Sequence, residues 1–157
     1  MNGIQPTLWF NGNAIEARDF YCSVFKDSEA LETAYYTAAG PGKEGDPVTV
    51  RFRLNGVEFV GINAGPEFTF SEAVSFLIPC EDQDEVDYYW DELTNGGEEG
   101  PCGWLKDKFG LSWQVTPRKV LDLIMDPDRE AATRVTKALY GMKKIDLAAL
   151  EAAFERE

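Results

Sequence analysis

A helical pattern occurs twice in this chain, 69 residues apart. Asn13, Glu16, Phe20-Tyr21 and Val24 reappear in the same order as Asp82, Glu85, Tyr89-Trp90 and Leu93. Each copy opens with a short polar side chain and carries a glutamate three residues on. That spacing lets the two side chains satisfy the orphan N–H groups of a helix start. The apolar residues that follow recur three and four positions apart, on one helix face. Two helices built alike call for two similar sheets beneath them, so a duplication restricts the chain to a paired-module architecture. Chance agreement between two amphipathic helices of similar length is the alternative.

The segments around each helix read as strands. Gln5 to Phe10 is extended, and Asn11-Gly12 turns the chain into the first helix. Ser28 to Ala38 is rich in Tyr and Thr, and Ala39 to Asp46 is a loop. Val48 to Leu54 alternates apolar and polar residues, Asn55-Gly56 gives a strong hairpin signal, and Val57 to Ala64 returns as the partner strand. The second copy starts with an apolar strand, Ala73 to Pro79. Its helix ends at Asn95-Gly96-Gly97, and extended pieces follow at Gly103 to Lys106 and Leu111 to Thr116. Asp107-Lys108-Phe109-Gly110 reads as a tight turn into the last of these, with Gly110 at positive φ. In that strand Leu111, Trp113 and Val115 point to a core, and Ser112, Gln114 and Thr116 point the other way.

The chain is thus an α+β protein, one structural domain overall, in three segments. Residues 1–65 form a first βαβββ module and residues 66–118 a second. Residues 119–157 form a helical tail, with Val120/Leu121/Ile124, Ala131/Ala132/Val135/Ala138/Leu139/Met142 and Leu147/Leu150/Phe154 at helical spacing and Asp146 as a cap. Those faces are too apolar for solvated helices, so the tail packs on the preceding part or on a partner chain.

Composition removes whole classes of chemistry. There is no histidine, which excludes Ser-His-Asp triads, Cys-His dyads and His-based zinc sites. With 15 basic against 28 acidic residues the net charge is −13, which repels nucleic acid. No apolar run approaches the roughly 20 residues that span a bilayer. The start MNGIQPTLWF carries no basic segment and no cleavage site, so the expected location is the cytoplasm. Cys22, Cys80 and Cys102 are an odd set without a CxxC pair and give no disulfide framework.

Several motifs could carry function. Gly40 to Gly45 matches G-x-G-x-x-G, but Pro41, charges and another strand follow where a dinucleotide site needs a helix, so it reads as a flexible loop. Cys102 has no histidine to activate it, and its nearest cation in sequence is Lys106. Glu98, Glu99 and Asp107 are carboxylate candidates for acid/base chemistry, against a background of many surface acids. Pro66 to Phe70 sets Phe68 and Phe70 on alternate positions of the module connection. With Trp104 and Trp113 they would line a cavity, or else pack in the core.

The stretches TLWFNGNAIEARDFYCSVF, GPEFTFSEAVSF and GPCGWLKDKFGLSWQV resemble the PhnB-like branch of the vicinal oxygen chelate superfamily, which includes glyoxalase I, bleomycin-resistance proteins and extradiol dioxygenases. The branch also carries the label 3-demethylubiquinone-9 3-methyltransferase, and the likeness extends to GMKKIDLAAL in the tail. The resemblance implies curved mixed sheets with a concave, ligand-binding cavity, completed by a second chain in a homodimer.

It also implies a divalent ion on first- and last-strand positions of each module. In the D-x-x-G-x-x-x-E element the glutamate falls on Gln114. The other positions fall near Pro6 or Thr7, near Ser75, and near Glu58 or Val60. Of these only Gln114, with Glu58 or Gln5, could coordinate, through oxygen, and one or two such weak ligands hold no transition metal. The expected protein therefore uses neither metal nor cofactor. A methyltransferase would need a glycine-rich loop after a first strand and a longer sheet, and neither is present.

The reading that follows is a dimeric protein binding a small molecule, with no nucleic-acid or membrane partner and no catalytic residue assigned. Its expected ligand-binding residues are Gln114, Ser112, Ser75, Glu58, Phe68, Phe70, Cys102 and Trp104. Two alternatives stand beside it. One is an enzyme of the glyoxalase/dioxygenase type, using a hard metal or acid/base groups such as Glu58 with Cys102. The other is a dimeric interaction scaffold whose cavity is filled by Trp and Phe.

Overall fold

A computed structural model describes residues 3–155. These residues divide into two compact units, one up to Phe70 and one from Ser71.

The first unit is β1 (Thr7–Asn11), α1 (Ala14–Val24), β2 (Ser28–Tyr35), β3 (Pro47–Leu54) and β4 (Val57–Ala64). Its mixed sheet has the order β1-β4-β3-β2, with β1 and β4 parallel and the other pairs antiparallel. The period-2 pattern sorts its faces. Leu8, Phe10, Val50, Phe52 and Phe59 are buried with Ala17, Tyr21 and Val24 of α1. The opposite face carries Trp9, Arg51, Arg53 and Glu58. The Asn55-Gly56 hairpin forms as expected, with φ values of 47° and 81° that a type I′ turn requires.

The second unit repeats the plan with β5 (Phe76–Cys80), α2 (Gln83–Thr94), β6 (Glu98–Glu99), β7 (Trp104–Lys106) and β8 (Ser112–Pro117). Its sheet order, β5-β8-β7-β6, is the order of the first sheet strand for strand. The buried helix positions coincide at the 69-residue offset: Ala17, Tyr21 and Val24 match Val86, Trp90 and Leu93.

Three helices follow: α3 (Arg118–Met125), α4 (Arg129–Tyr140) and α5 (Leu147–Glu155). They enclose a small core of Val120, Leu123, Val135, Leu139, Ile145 and Leu150. The Asp128 carboxylate caps α4 by accepting from Glu130 and Ala131 N–H, and Asp146 accepts from Ala149 N–H at the start of α5. Arg134 donates to the carbonyls of Ala153 and Phe154, closing the far end of α5.

Several expectations are corrected. Asn13 makes no side-chain cap; instead Asn63 Oδ1 accepts the Ala14 N–H at 3.1 Å, so a strand residue caps α1. Asp82 does cap α2, but Glu85 reaches back to the N–H of Glu81. The strand predicted from Ala73 begins at Phe76, and the strand predicted to Ala38 stops at Tyr35. The two-residue strand β6 was not foreseen. On α3 the buried positions are Val120 and Leu123, and Leu121 is 45% exposed.

Candidate functional site

The site grows from the turn that leads into β8. Gly110 takes a φ of 84°, and its N–H donates to the carbonyl of Asp107. The Asp107 side chain, only 3% exposed, accepts the N–H groups of Phe109 and Leu111 and the indole N–H of Trp113. A carboxylate with three donors on it is a structural anchor and not the acid/base group that the sequence offers at Asp107. Trp113 is likewise held in the core.

Fixing Trp113 inward fixes its neighbours outward. Cross-strand register pairs Ser112 with Lys106 and Lys106 with Glu98. These three residues form a row across the same face of β6, β7 and β8, and Gln114 pairs with Trp104 in the next row. Beside them the chain crosses Gly100 to Gly103. There Cys102 and Gly103 take φ values of 57° and 81°, and the Gly100 N–H donates to the Trp104 carbonyl at 2.8 Å.

This arrangement borders an open cavity of about 480 Å³, lined by Glu72, Glu98, Glu99, Trp104, Lys106 and Ser112, with Pro101, Cys102 and Leu105. Ser112 is fully buried, and its Oγ has no hydrogen-bond partner among the described residues. A buried hydroxyl in that condition costs free energy unless something that enters the cavity meets it. Lys106 Nζ lies 2.6 Å from Glu72 Oε1, and that contact raises the lysine pKa and lowers that of the glutamate. Glu99 accepts the indole N–H of Trp90 at 3.2 Å and pairs with Lys143 at 3.5 Å.

Of the residues singled out in the sequence, Ser112, Cys102, Trp104, Glu98 and Glu99 therefore meet at one cavity. Gln114 and Ser75 do not line it; they bond to each other, Gln114 Nε2 to Ser75 Oγ, at 2.9 Å. Phe68 and Phe70 are in the first unit, edge-on to Trp9 and Phe10. Glu72 carried no sequence signal at all. Lys106 could have been placed beside Trp104 by alternation, since two residues apart on a strand share a face.

Glu58 belongs to the first sheet. Its carboxylate accepts from Arg51 at 2.9 Å, Arg53 at 3.0 Å and Gln5 at 2.7 Å. The Arg53 hydrogen bond, followed by that of Arg51, holds it below the ordinary glutamate range. The first unit also has a cavity of about 710 Å³ beside the Gly40–Gly45 loop. Its aromatic and amide donors are already engaged. Trp9 donates to Gly65 O, Tyr36 to Asn63 O, and Asn63 to Pro47 O. The smaller cavity, with its unmet hydroxyl, is the better candidate.

A family model for 3-demethylubiquinone-9 3-methyltransferase matches residues 2–116. The chain belongs to the PhnB-like family of the vicinal oxygen chelate superfamily. A solved PhnB protein from Bacillus cereus is 38% identical, with a TM-score of 0.65 over 74% of this chain and 99% of that one. Protein PA1353 from Pseudomonas aeruginosa is 19% identical over 72% of this chain and 95% of that chain, with a TM-score of 0.58. A fosfomycin resistance protein, FosX, from Mesorhizobium loti is 13% identical over 78% and 98%, with a TM-score of 0.51. These last two share the fold. No curated protein matches. The match of the PhnB-like model stops before α3, so the likeness expected for GMKKIDLAAL in the tail is not part of it.

The divalent ion implied by the superfamily does not fit these residues. Gln114 is bonded to Ser75, and two guanidiniums already neutralise Glu58. Among the described residues no group of three or more His, Cys, Asp or Glu could hold a metal. The thiols give no substitute: all three cysteines are free, and burial pushes Cys80 up to about 12.

Proposed function

We propose that this PhnB-like protein binds a small organic molecule in the β6–β7–β8 cavity, without a metal ion and as a homodimer. The observation that carries the reading is the buried, unpartnered Ser112 Oγ in a cavity walled by Trp104, Leu105 and Pro101. Apolar walls with a few placed polar groups are what a small-molecule site requires. Ser112 supplies the hydrogen bond, Trp104 the flat apolar surface, and Cys102 a soft wall. The Gln114–Ser75 pair holds the next row of the sheet in place. No methyl transfer is proposed, because two four-stranded mixed sheets offer no nucleotide-binding switch point of the doubly wound kind.

The test is a thermal-shift and calorimetric screen on untagged protein, with and without chelator. Ligands found should lose affinity with Trp104→Ala and bind equally well with chelator present. A ligand indifferent to Trp104→Ala, or lost with chelator, would remove the proposal. Light scattering on the same samples reads the dimer directly.

A further inference from the structure

The charges around the cavity are not balanced. Three carboxylates, Glu72, Glu98 and Glu99, line it against one lysine, Lys106. Glu72 engages that lysine at 2.6 Å, and Glu99 is shared by Trp90 and Lys143. The Glu98 carboxylate alone takes no hydrogen bond or ion pair among the described residues; it acts on Lys106 only through space, adding to the rise that Glu72 causes in the lysine pKa. It stands at the exposed end of the Glu98–Lys106–Ser112 row, and the buried, unpartnered Ser112 Oγ stands at the other end. Two strand spacings separate those ends, about 10 Å. Trp104 lies in the adjacent row, two residues before Lys106 and on the same face.

Resting on the binding reading above, we infer that the ligand is a hydrophobic cation with a polar group at its far end. An ammonium meets Glu98 at the rim, an apolar or aromatic body lies on Trp104, and a hydroxyl or carbonyl reaches Ser112. An indole face attracts such a cation in addition to covering its apolar body. A carboxylate or phosphate ligand would meet an excess of negative charge, since the cavity's lysine is already held by Glu72. The chain's net charge of −13 raises the encounter rate of cations in the same direction.

Three probes of one shape separate the possibilities: tyramine (cationic), 4-ethylphenol (neutral) and 3-(4-hydroxyphenyl)propionate (anionic). Titrated calorimetrically into untagged full-length protein at low salt, tyramine should bind about tenfold tighter than 4-ethylphenol, and the anion weakest. Glu98→Gln should abolish the preference for tyramine over 4-ethylphenol. Equal binding of tyramine and 4-ethylphenol, or tighter binding of the anion, overturns the cation assignment and leaves the cavity reading standing. If none of the three saturates the folded protein, this inference falls, while the cavity reading is decided by the wider screen.

Discussion

The backbone N–H of Cys102 donates to the carbonyl of Met142 at 2.8 Å, and that of Gly103 to Lys143 at 2.7 Å. One wall of the cavity is therefore fastened to the link between α4 and α5. Gly103 fits there because it has no side chain: a Cβ would lie 2.7 Å from Val115 O and 2.8 Å from Ile145 Cδ1. The tail, which lies past the match to the family model, is thus part of the unit that holds the candidate site.

A second fastening makes this testable. The side-chain amide of Gln83 donates to the Ile145 carbonyl at 3.0 Å, and its oxygen accepts from the Leu147 N–H at 2.9 Å. Gln83→Ala leaves both backbone groups without their partner and should destabilise the protein by about 2 kcal/mol. Chemical denaturation reads this directly. An unchanged midpoint would show that the tail is docked without Gln83.

Asp107 should behave as an anchor. Asp107→Asn places an amide donor where either the two backbone N–H groups or the Trp113 indole now donate. Losing a buried, charge-assisted bond of this kind costs about 3 kcal/mol. The unfolding midpoint should fall, and Trp113 emission should shift as its ring loosens. Native stability in Asp107→Asn would show that these three hydrogen bonds do not anchor the turn.

Glu58 makes a prediction about pH. Its folded pKa lies below its ordinary value of 4.5, held down by Arg53 first and then Arg51. A depressed carboxylate stabilises the fold above the unfolded pKa and loses that contribution as pH falls through the folded one. Thermal midpoints should therefore decline below about pH 4.5 in the parent protein, and less steeply in Glu58→Gln. Parallel curves for the two proteins would show that the ion pairs contribute nothing, as for many exposed pairs.

The paired-module plan was legible in the sequence because it rests on periodicity. The stripes through Tyr21 and Trp90 depend only on helix spacing, and the Asn55-Gly56 hairpin on local φ preference. Legibility stopped where partners are distant in sequence. Asn63 caps α1 from 49 residues away, which no local pattern could announce. Glu98-Glu99 forms a strand only because β7 pairs with it, and its own composition is poor for strand formation. At the site, alternation along β8 separated Ser112 and Gln114 from Trp113. It could not say that Gln114 would be satisfied by Ser75 while Ser112 stayed unmet, since both have the same facing.

Ser112 gives the sharpest test, because two measurements should move in opposite directions. Removing an unpaired buried hydroxyl removes its desolvation penalty, so Ser112→Ala should stabilise the ligand-free protein by about 1 kcal/mol. The same change removes the hydrogen bond offered to a ligand, so 4-ethylphenol should bind about fivefold more weakly. A packing residue would lose stability on truncation and leave binding alone. If Ser112→Ala is less stable than the parent, the hydroxyl has a partner inside the fold, and the cavity loses the group that orients its ligand. If stability rises and binding falls, the cost of leaving Ser112 unmet is explained by what it does when the cavity is filled.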